Sequence, residues 1–121
     1  MGYKLSNLSL ALGMSLLTSG NVVANDNETR MDARCVVVSG QMAVSPDIGQ
    51  RKRAEMLMLY YIGRLDGRTP GLDLEKLLAS ESARMTSANT IQSEMRRCND
   101  ALTAKGKEIT RLGNDLNNLR R

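Results

Sequence analysis

The sequence predicts an all-α protein, a small bundle of three or four helices with a long C-terminal helix and one disulfide bond. Three observations support this fold class. Apolar residues recur at steps of three and four along most of the chain, which is the spacing of one helix face. The two prolines stand where helices would begin. The two cysteines lie far apart in the chain, so a bond between them would join distant helices.

Residues 1–24 have the pattern of a secretory signal peptide. Lys4 gives a positively charged start, residues 5–17 form an apolar run, and the small residues ending at Ala24 suit cleavage. A membrane anchor is the less favoured alternative, because a membrane-spanning helix needs about 20 apolar residues. We therefore expect an exported protein, periplasmic or secreted, with a signal peptide at residues 1–24 and one helical domain at residues 25–121.

The composition argues against several classes of function. The formal net charge is +4, and acidic and basic residues are interspersed, unlike the clustered basic residues of a nucleic-acid-binding protein. There is no histidine to act as a base near neutral pH or to bind a metal. Asp66 and Asp73 could flank a substrate, but ending one helix and capping the next is the simpler role for them. We predict no enzyme activity, no cofactor, no metal and no nucleic-acid partner.

Cys35 and Cys98 are predicted to form the disulfide bond. Small exported proteins usually pair an even number of cysteines, and two cysteines allow one pairing. The loop of about 60 residues would stabilise the domain by on the order of 4 kcal/mol in the chain-entropy model. A metal pair or a catalytic thiol is the alternative, and both lack partners without a histidine or a third cysteine.

The first helix is predicted over residues 30–43, and residues 25–29 before it are polar and expected to be frayed. The valines at 36–38 favour a strand instead. We prefer the helix, because a lone strand would have no partner elsewhere in the chain. The proposed helix face consists of Met31, Cys35, Val38 and Met42.

A central helix is predicted from about Pro46 to Asp66. Ser45 would cap it, Pro46 would fill its first position, and Gly67 would end it. Apolar residues run almost unbroken from 56 to 62, so we expect other helices to enclose this helix on every side. The basic patch at residues 50–53, Gln-Arg-Lys-Arg, could touch an acidic partner or anionic lipid, and a solvated first turn explains it as well.

The third helix is predicted from Pro70 to about Thr86, with Asp73 and Glu75 in its first turn, where the helix dipole favours negative charge. The fourth helix, of roughly thirty residues, has the most regular pattern in the chain, a heptad seam with alternating steps of four and three. The seam consists of Ile91, Met95, Cys98, Leu102, Lys105, Ile109, Leu112, Leu116 and Leu119.

The length of this last helix has a consequence for assembly. A helix of that size reaches about 45 Å, which exceeds the width of a domain of this size, so its end would protrude or pair with another chain. Gly106 and Gly113 lie one heptad apart on the same flank. They indicate either a close helix crossing or a chance placement near the chain end.

Two segments carry a family resemblance, YYIGRLDGRTPGLDLEKLL at residues 60–78 and RCNDALTAKGKEITRLGNDL at residues 97–116. Together with an early cysteine they resemble small uncharacterised exported proteins of alphaproteobacteria, over Cys35 to Leu116. This resemblance implies no activity. More distantly, two cysteines clamping a helical bundle are similar to periplasmic acid-stress chaperones of the HdeA type and to immunity proteins that block secreted amidases. Those proteins have shorter cysteine separations, and their likeness implies a binding or protective role.

The candidate partner-binding site lies at the end of the central helix and consists of Tyr60, Tyr61, Arg64, Asp66 and Arg68. Tyr60 and Arg64 are one helical turn apart, and the charged residues surround the helix end. The group could form a notch that binds an anion or a carboxylate of a partner. Alternatively, Arg64 or Arg68 pairs with an acid of the neighbouring helix and fixes the turn before Pro70.

Two classes of function follow from these observations. The first is a non-enzymatic periplasmic binding or protective protein, either chaperone-like with protein clients or an inhibitor of an envelope enzyme. The second is a structural module that forms a homodimer through the C-terminal heptads. A third, less favoured hypothesis is contact with an anionic membrane surface through residues 50–53 and 120–121. An acid-triggered chaperone would need carboxylates as its switch, because the chain has no histidine.

Overall fold

The computed structural model describes residues 22–121, and four α-helices occupy most of that range. They are α1 Val22–Ala43, α2 Ile48–Arg68, α3 Leu74–Arg84 and α4 Ala88–Leu119. Between residues 22 and 121 there is no strand, so the predicted all-α fold with a long C-terminal helix is confirmed. The predicted signal peptide, residues 1–24, lies almost entirely outside the described residues. No helix within residues 22–121 has the length and apolar character needed to cross a membrane.

Helix α1 is the element on which the other three pack. It contacts α2, α3 and α4, and among the four described helices α3 contacts only α1. The helix takes in all three valines, so the strand alternative is excluded. It also begins at Val22, so residues 25–29, expected to be frayed, are helical. Its buried positions hold small, β-branched or short polar side chains, namely Thr29, Asp32, Ala33, Cys35, Val36, Val38 and Ser39.

Helix α2 is not enclosed on every side, and the prediction that it would be is wrong. It buries one face, while Met56 and Leu59 on the opposite side are 57% and 74% exposed. The reason is the number of neighbours, since only α1 and α4 contact α2 in the described part of the chain. Two helices cannot cover a third one all round. The buried face consists of Ala54, Leu57, Tyr61 and Leu65.

The ends of α2 also differ from the prediction. Asp47, not Ser45, caps the helix, and its carboxylate accepts a hydrogen bond of 2.9 Å from the backbone N–H of Gln50. The helix continues through Gly67 to Arg68. The positive φ that favours glycine occurs later, at Gly71, where φ is 79°.

Helices α3 and α4 are each capped by the residue before them. Asp73 accepts from the backbone N–H of Lys76 at 3.0 Å, so α3 begins after the predicted start near Pro70. Ser87 accepts from the backbone N–H of Thr90 at 3.1 Å and starts α4. A break at residues 85–87 therefore separates α3 from α4. The following helix of 32 residues reaches about 48 Å.

The predicted disulfide bond joins α1 to α4 in the core. Cys35 and Cys98 are fully buried, with their Cα atoms 5.6 Å apart. The hydroxyl of Tyr61 donates a hydrogen bond of 3.1 Å to the backbone carbonyl of Cys98. The three longest helices therefore meet at one point, where α2 adds a polar contact to the covalent bond between the other two.

Candidate functional site

Of the five residues predicted as a partner-binding site, Tyr61 belongs to the core. Its side chain is buried, and burial raises the pKa of its hydroxyl above the ordinary value of tyrosine. Tyr60 lies at the edge of the core with its ring 4.9 Å from that of Tyr61, in a T-shaped arrangement. The Tyr60 hydroxyl accepts a hydrogen bond of 3.2 Å from Arg64. Tyr61 thus holds the bundle together, and Tyr60 positions an arginine.

Arg64 and Arg68 both bind the same carboxylate oxygen of Asp32 on α1. The N–O distances are 3.0 Å from Arg64 and 2.9 Å from Arg68, and Asp32 is buried. This geometry corresponds to the alternative in which these arginines pair with an acid of the neighbouring helix. Asp66 is exposed and lies about 160–200° around α2 from both arginines, so it is not part of the cluster.

A second carboxylate cluster, which sequence reasoning missed, lies between α1 and α3. The side chain of Glu81 is 1% exposed, and its two oxygens accept hydrogen bonds of 2.8 Å from Arg30 and Arg34. Arg84 lies 3.8 Å away on the same helix. The signal was available in the sequence, because Glu81 occupies a helical step between Leu77 and Met85 on the apolar face of α3.

The electrostatics of Glu81 keep it charged. Burial alone would raise the pKa of its carboxyl, but the hydrogen bonds from Arg34 and Arg30 outweigh burial and lower the pKa below its ordinary value. The carboxylate in turn raises the pKa of Arg34 through their hydrogen bond. Glu81 is therefore ionised at neutral pH, and it bridges α3 to α1 through two arginines, as Asp32 bridges α1 to α2.

One groove of the bundle is lined without a catalytic constellation. A groove of about 460 Å³ lies between the end of α1 and the start of α4, lined mainly by amides and apolar side chains. Its lining residues are Gln41, Ala88, Asn89, Ile91, Gln92 and Met95. In the described part of the chain, no group of three histidine, cysteine or acidic residues could hold a metal ion.

The most unusual surface is the second half of α4. The first half of the predicted heptad seam packs on the core through Ile91, Met95, Cys98 and Leu102. From Gly106 to the chain end every residue is exposed, although the seam continues in the same register. We call its four apolar side chains the α4 stripe. They are Ile109, 61% exposed, Leu112, 46%, Leu116, 60%, and Leu119, 82%.

Comparison with known proteins gives no relative to this chain. A scan against protein-family models, a search of curated proteins and a search of solved structures each found no match. The resemblance to exported alphaproteobacterial proteins therefore stays a prediction.

Proposed function

We propose that this chain is a non-enzymatic protein-binding module of an extracytoplasmic compartment. In this view a disulfide-clamped bundle holds the base of α4, and the α4 stripe docks on a helix of a protein partner. The observation that carries the proposal is the stripe itself, four apolar side chains in unbroken heptad register on a helix half that is exposed throughout. Single exposed apolar residues are normal in proteins, whereas a contiguous apolar row marks an interaction surface.

The free energy that burial of the stripe would release supports its role as a binding surface. Full burial of a leucine or isoleucine side chain stabilises by about 1.5–3 kcal/mol relative to exposure in water. The four stripe residues, at 46–82% exposure, leave on the order of 5 kcal/mol of that stabilisation unrealised. A partner helix with its own apolar seam would recover it by knobs-into-holes packing.

The chemistry of the bundle supports a role without catalysis. Both cysteine sulfurs are committed to the disulfide bond, and the chain has no histidine. The buried acids Asp32 and Glu81 are each neutralised by arginines, so neither is placed to exchange a proton with a substrate. The disulfide also supports an oxidising compartment, in line with the predicted signal peptide.

The test is site-specific photo-crosslinking in the producing cell. A photoreactive amino acid replaces Leu112 on the stripe or, as the matched control, Asn114, which is exposed about 200° away on the same helix. We expect crosslinked protein adducts from position 112 and far fewer from position 114. Equal adducts at both positions, or none at position 112, would contradict the proposed function.

A second candidate function, acid-dependent protection of other proteins, is favoured by the two buried carboxylate bridges. Glu81 fastens α3 to α1, and Asp32 fastens α2 to α1. Protonation of Glu81 would remove its charge and loosen α3 from α1, exposing apolar core side chains. Because the pKa of Glu81 is lowered, we expect this loosening only in strong acid. Fluorescence of an apolar dye that stays unchanged from pH 7 down to about pH 1 would rule out this function.

A further inference from the structure

We infer that the partner of the α4 stripe is a second copy of this chain, paired with it as a parallel two-stranded coiled coil. The inference rests on the proposed function, because it names the occupant of the same surface. Four features of α4 carry it: the core positions, the flanking charges, two glycines, and the lysine at the base of the stripe.

The core positions suit self-pairing. The steps of the seam place Ile109 and Leu116 at heptad position a, and Leu112 and Leu119 at position d. Every core layer of a parallel homodimer is then formed by two identical apolar side chains. A β-branched residue at a with leucine at d, as in the Ile109 heptad, is the combination that favours two strands.

The flanking charges select the parallel orientation. Glu108 and Asp115 occupy position g, while Arg120 occupies position e of the following heptad. In a parallel pair each g residue faces the next e residue of the other chain, so Asp115 of one copy meets Arg120 of the other. In an antiparallel pair g faces g, which sets acid against acid. The charges therefore favour the parallel arrangement and disfavour the other.

The glycines fit a helix that approaches this flank. Gly106 and Gly113 occupy the two remaining e positions, although glycine disfavours a helix interior relative to alanine. A Cβ atom built at either residue would meet nothing within 4 Å, so packing inside one copy does not require glycine there. Without a side chain at position e, the Glu108 flank of a second copy can lie close to the backbone.

Lys105 marks where the two helices must separate. It occupies the d position just before the stripe, and its ammonium group binds Glu108 of the same helix. Two lysines facing each other at one core position would repel, so pairing stops here and Leu102 stays with its own bundle. The paired part is short, about two heptads, and we expect a weak dimer with a dissociation constant of roughly tens of micromolar or higher.

The first experiment is sedimentation equilibrium of the oxidised protein over a wide concentration range. We expect a monomer–dimer equilibrium that Leu112→Ser with Leu116→Ser weakens by at least about 100-fold, since four leucines leave each interface. The matched control is Leu59→Ser, which removes a leucine of α2 that is 74% exposed, more than Leu112 or Leu116, and should leave the dimer unchanged. A dimer that survives the double substitution, or that Leu59→Ser dissociates, would overturn the inference.

The second experiment tests orientation. Asp115→Lys places a lysine beside Arg120 of the second copy in a parallel pair, and should weaken the dimer about 5- to 10-fold. Adding Arg120→Glu should restore it. In an antiparallel pair Asp115→Lys would instead remove repulsion and strengthen the dimer, which would refute the parallel arrangement.

The crosslinking result separates failure of this inference from failure of the proposed function. Adducts from position 112 with the mass of two copies support both. A monomer in solution that forms adducts with a different protein overturns the second-copy inference and leaves the binding module standing. A monomer without adducts overturns both.

Discussion

Replacing Glu81 by glutamine should destabilise the bundle by about 2 kcal/mol at pH 7. The carboxylate accepts two charge-assisted hydrogen bonds of 2.8 Å, and such a bond contributes roughly 1.5–3 kcal/mol. Glutamine keeps one oxygen for one arginine but turns its N–H groups toward the other. The arginine side chains are 30% exposed, so water can solvate them after the substitution. The expected loss of stability is therefore smaller than for a fully buried ion pair.

The pH dependence of the same substitution checks its cause. Because the pKa of Glu81 is lowered in the folded protein, its stabilisation is complete above the unfolded pKa of about 4.3. The stabilisation is lost as the pH falls through the lower, folded pKa. The difference in unfolding free energy between the parent protein and Glu81→Gln should therefore be constant from pH 7 to about 5 and shrink in stronger acid.

The assay is urea unfolding followed by the helical circular dichroism signal, at pH 7 and at several lower pH values. Glu55→Gln, an exposed position on α2, is the matched control and should change stability by less than about 0.5 kcal/mol. A difference below about 0.5 kcal/mol for Glu81→Gln at pH 7 would refute the reasoning. So would a loss of 2 kcal/mol that persists unchanged at pH 2.5, since the charge would then not be its source.

Three further predictions test the core by the same urea assay. Cys35→Ser with Cys98→Ser opens a link between residues 63 apart in sequence and should cost about 4 kcal/mol, whereas a cost below about 1 would contradict the chain-entropy argument. Tyr61→Phe removes the hydrogen bond to the Cys98 carbonyl and should cost about 1 kcal/mol; no change would mean that this bond contributes nothing. Leu57→Ala should cost about 2–5 kcal/mol and Leu59→Ala less than about 0.5, and equal costs would show that α2 is enclosed after all.

Which segments are helical could be predicted from the sequence, because helix periodicity and end signals are local. The residues at which these helices begin and end were harder to predict, as α2 shows. Ser45 and Asp47 are both suitable caps, and local geometry decides between them. Asp47 takes the N–H of Gln50, while the Ser45 hydroxyl donates to the Gln50 side chain at 2.9 Å. A pattern of residue types does not distinguish two caps that stand two positions apart.

Which helix lies at the centre could not be predicted from apolar content. The sequence of α2 is the more apolar in its middle, yet α1 is packed by three helices. A helix packed by several others needs small side chains, and its buried polar groups need hydrogen-bond partners within the protein. On α1, Ala33 is fully buried and the buried Ser39 hydroxyl donates to the Cys35 carbonyl at 2.6 Å. Whether a helix can occupy the central position depends on the helices that pack on it, and these are distant in the sequence.

The ion pairs of the candidate site were beyond sequence reasoning for the same reason. Arg30 and Glu81 are 51 residues apart, and their contact depends on how α3 docks on α1. The arginines of α2 could be placed on one face from their spacing, but Asp32 could not be chosen among the acids. The α4 stripe is the opposite case, since a heptad seam is local. The sequence could not show, however, that contact with the bundle ends at Lys105.

The division of α4 at Lys105 leaves its two halves with different sources of stability. Its first half gains tertiary packing and a covalent bond to α1, whereas the second half has only its own helix to stabilise it. An isolated helix of about 15 residues is marginal in water, and Gly106 and Gly113 lower its stability further. The ion pair between Arg111 and Asp115 contributes only about 0.3–0.5 kcal/mol. If a partner occupies the stripe as proposed, its binding would be coupled to helix formation in these last turns, because packing against it would supply the stabilisation that the single chain lacks.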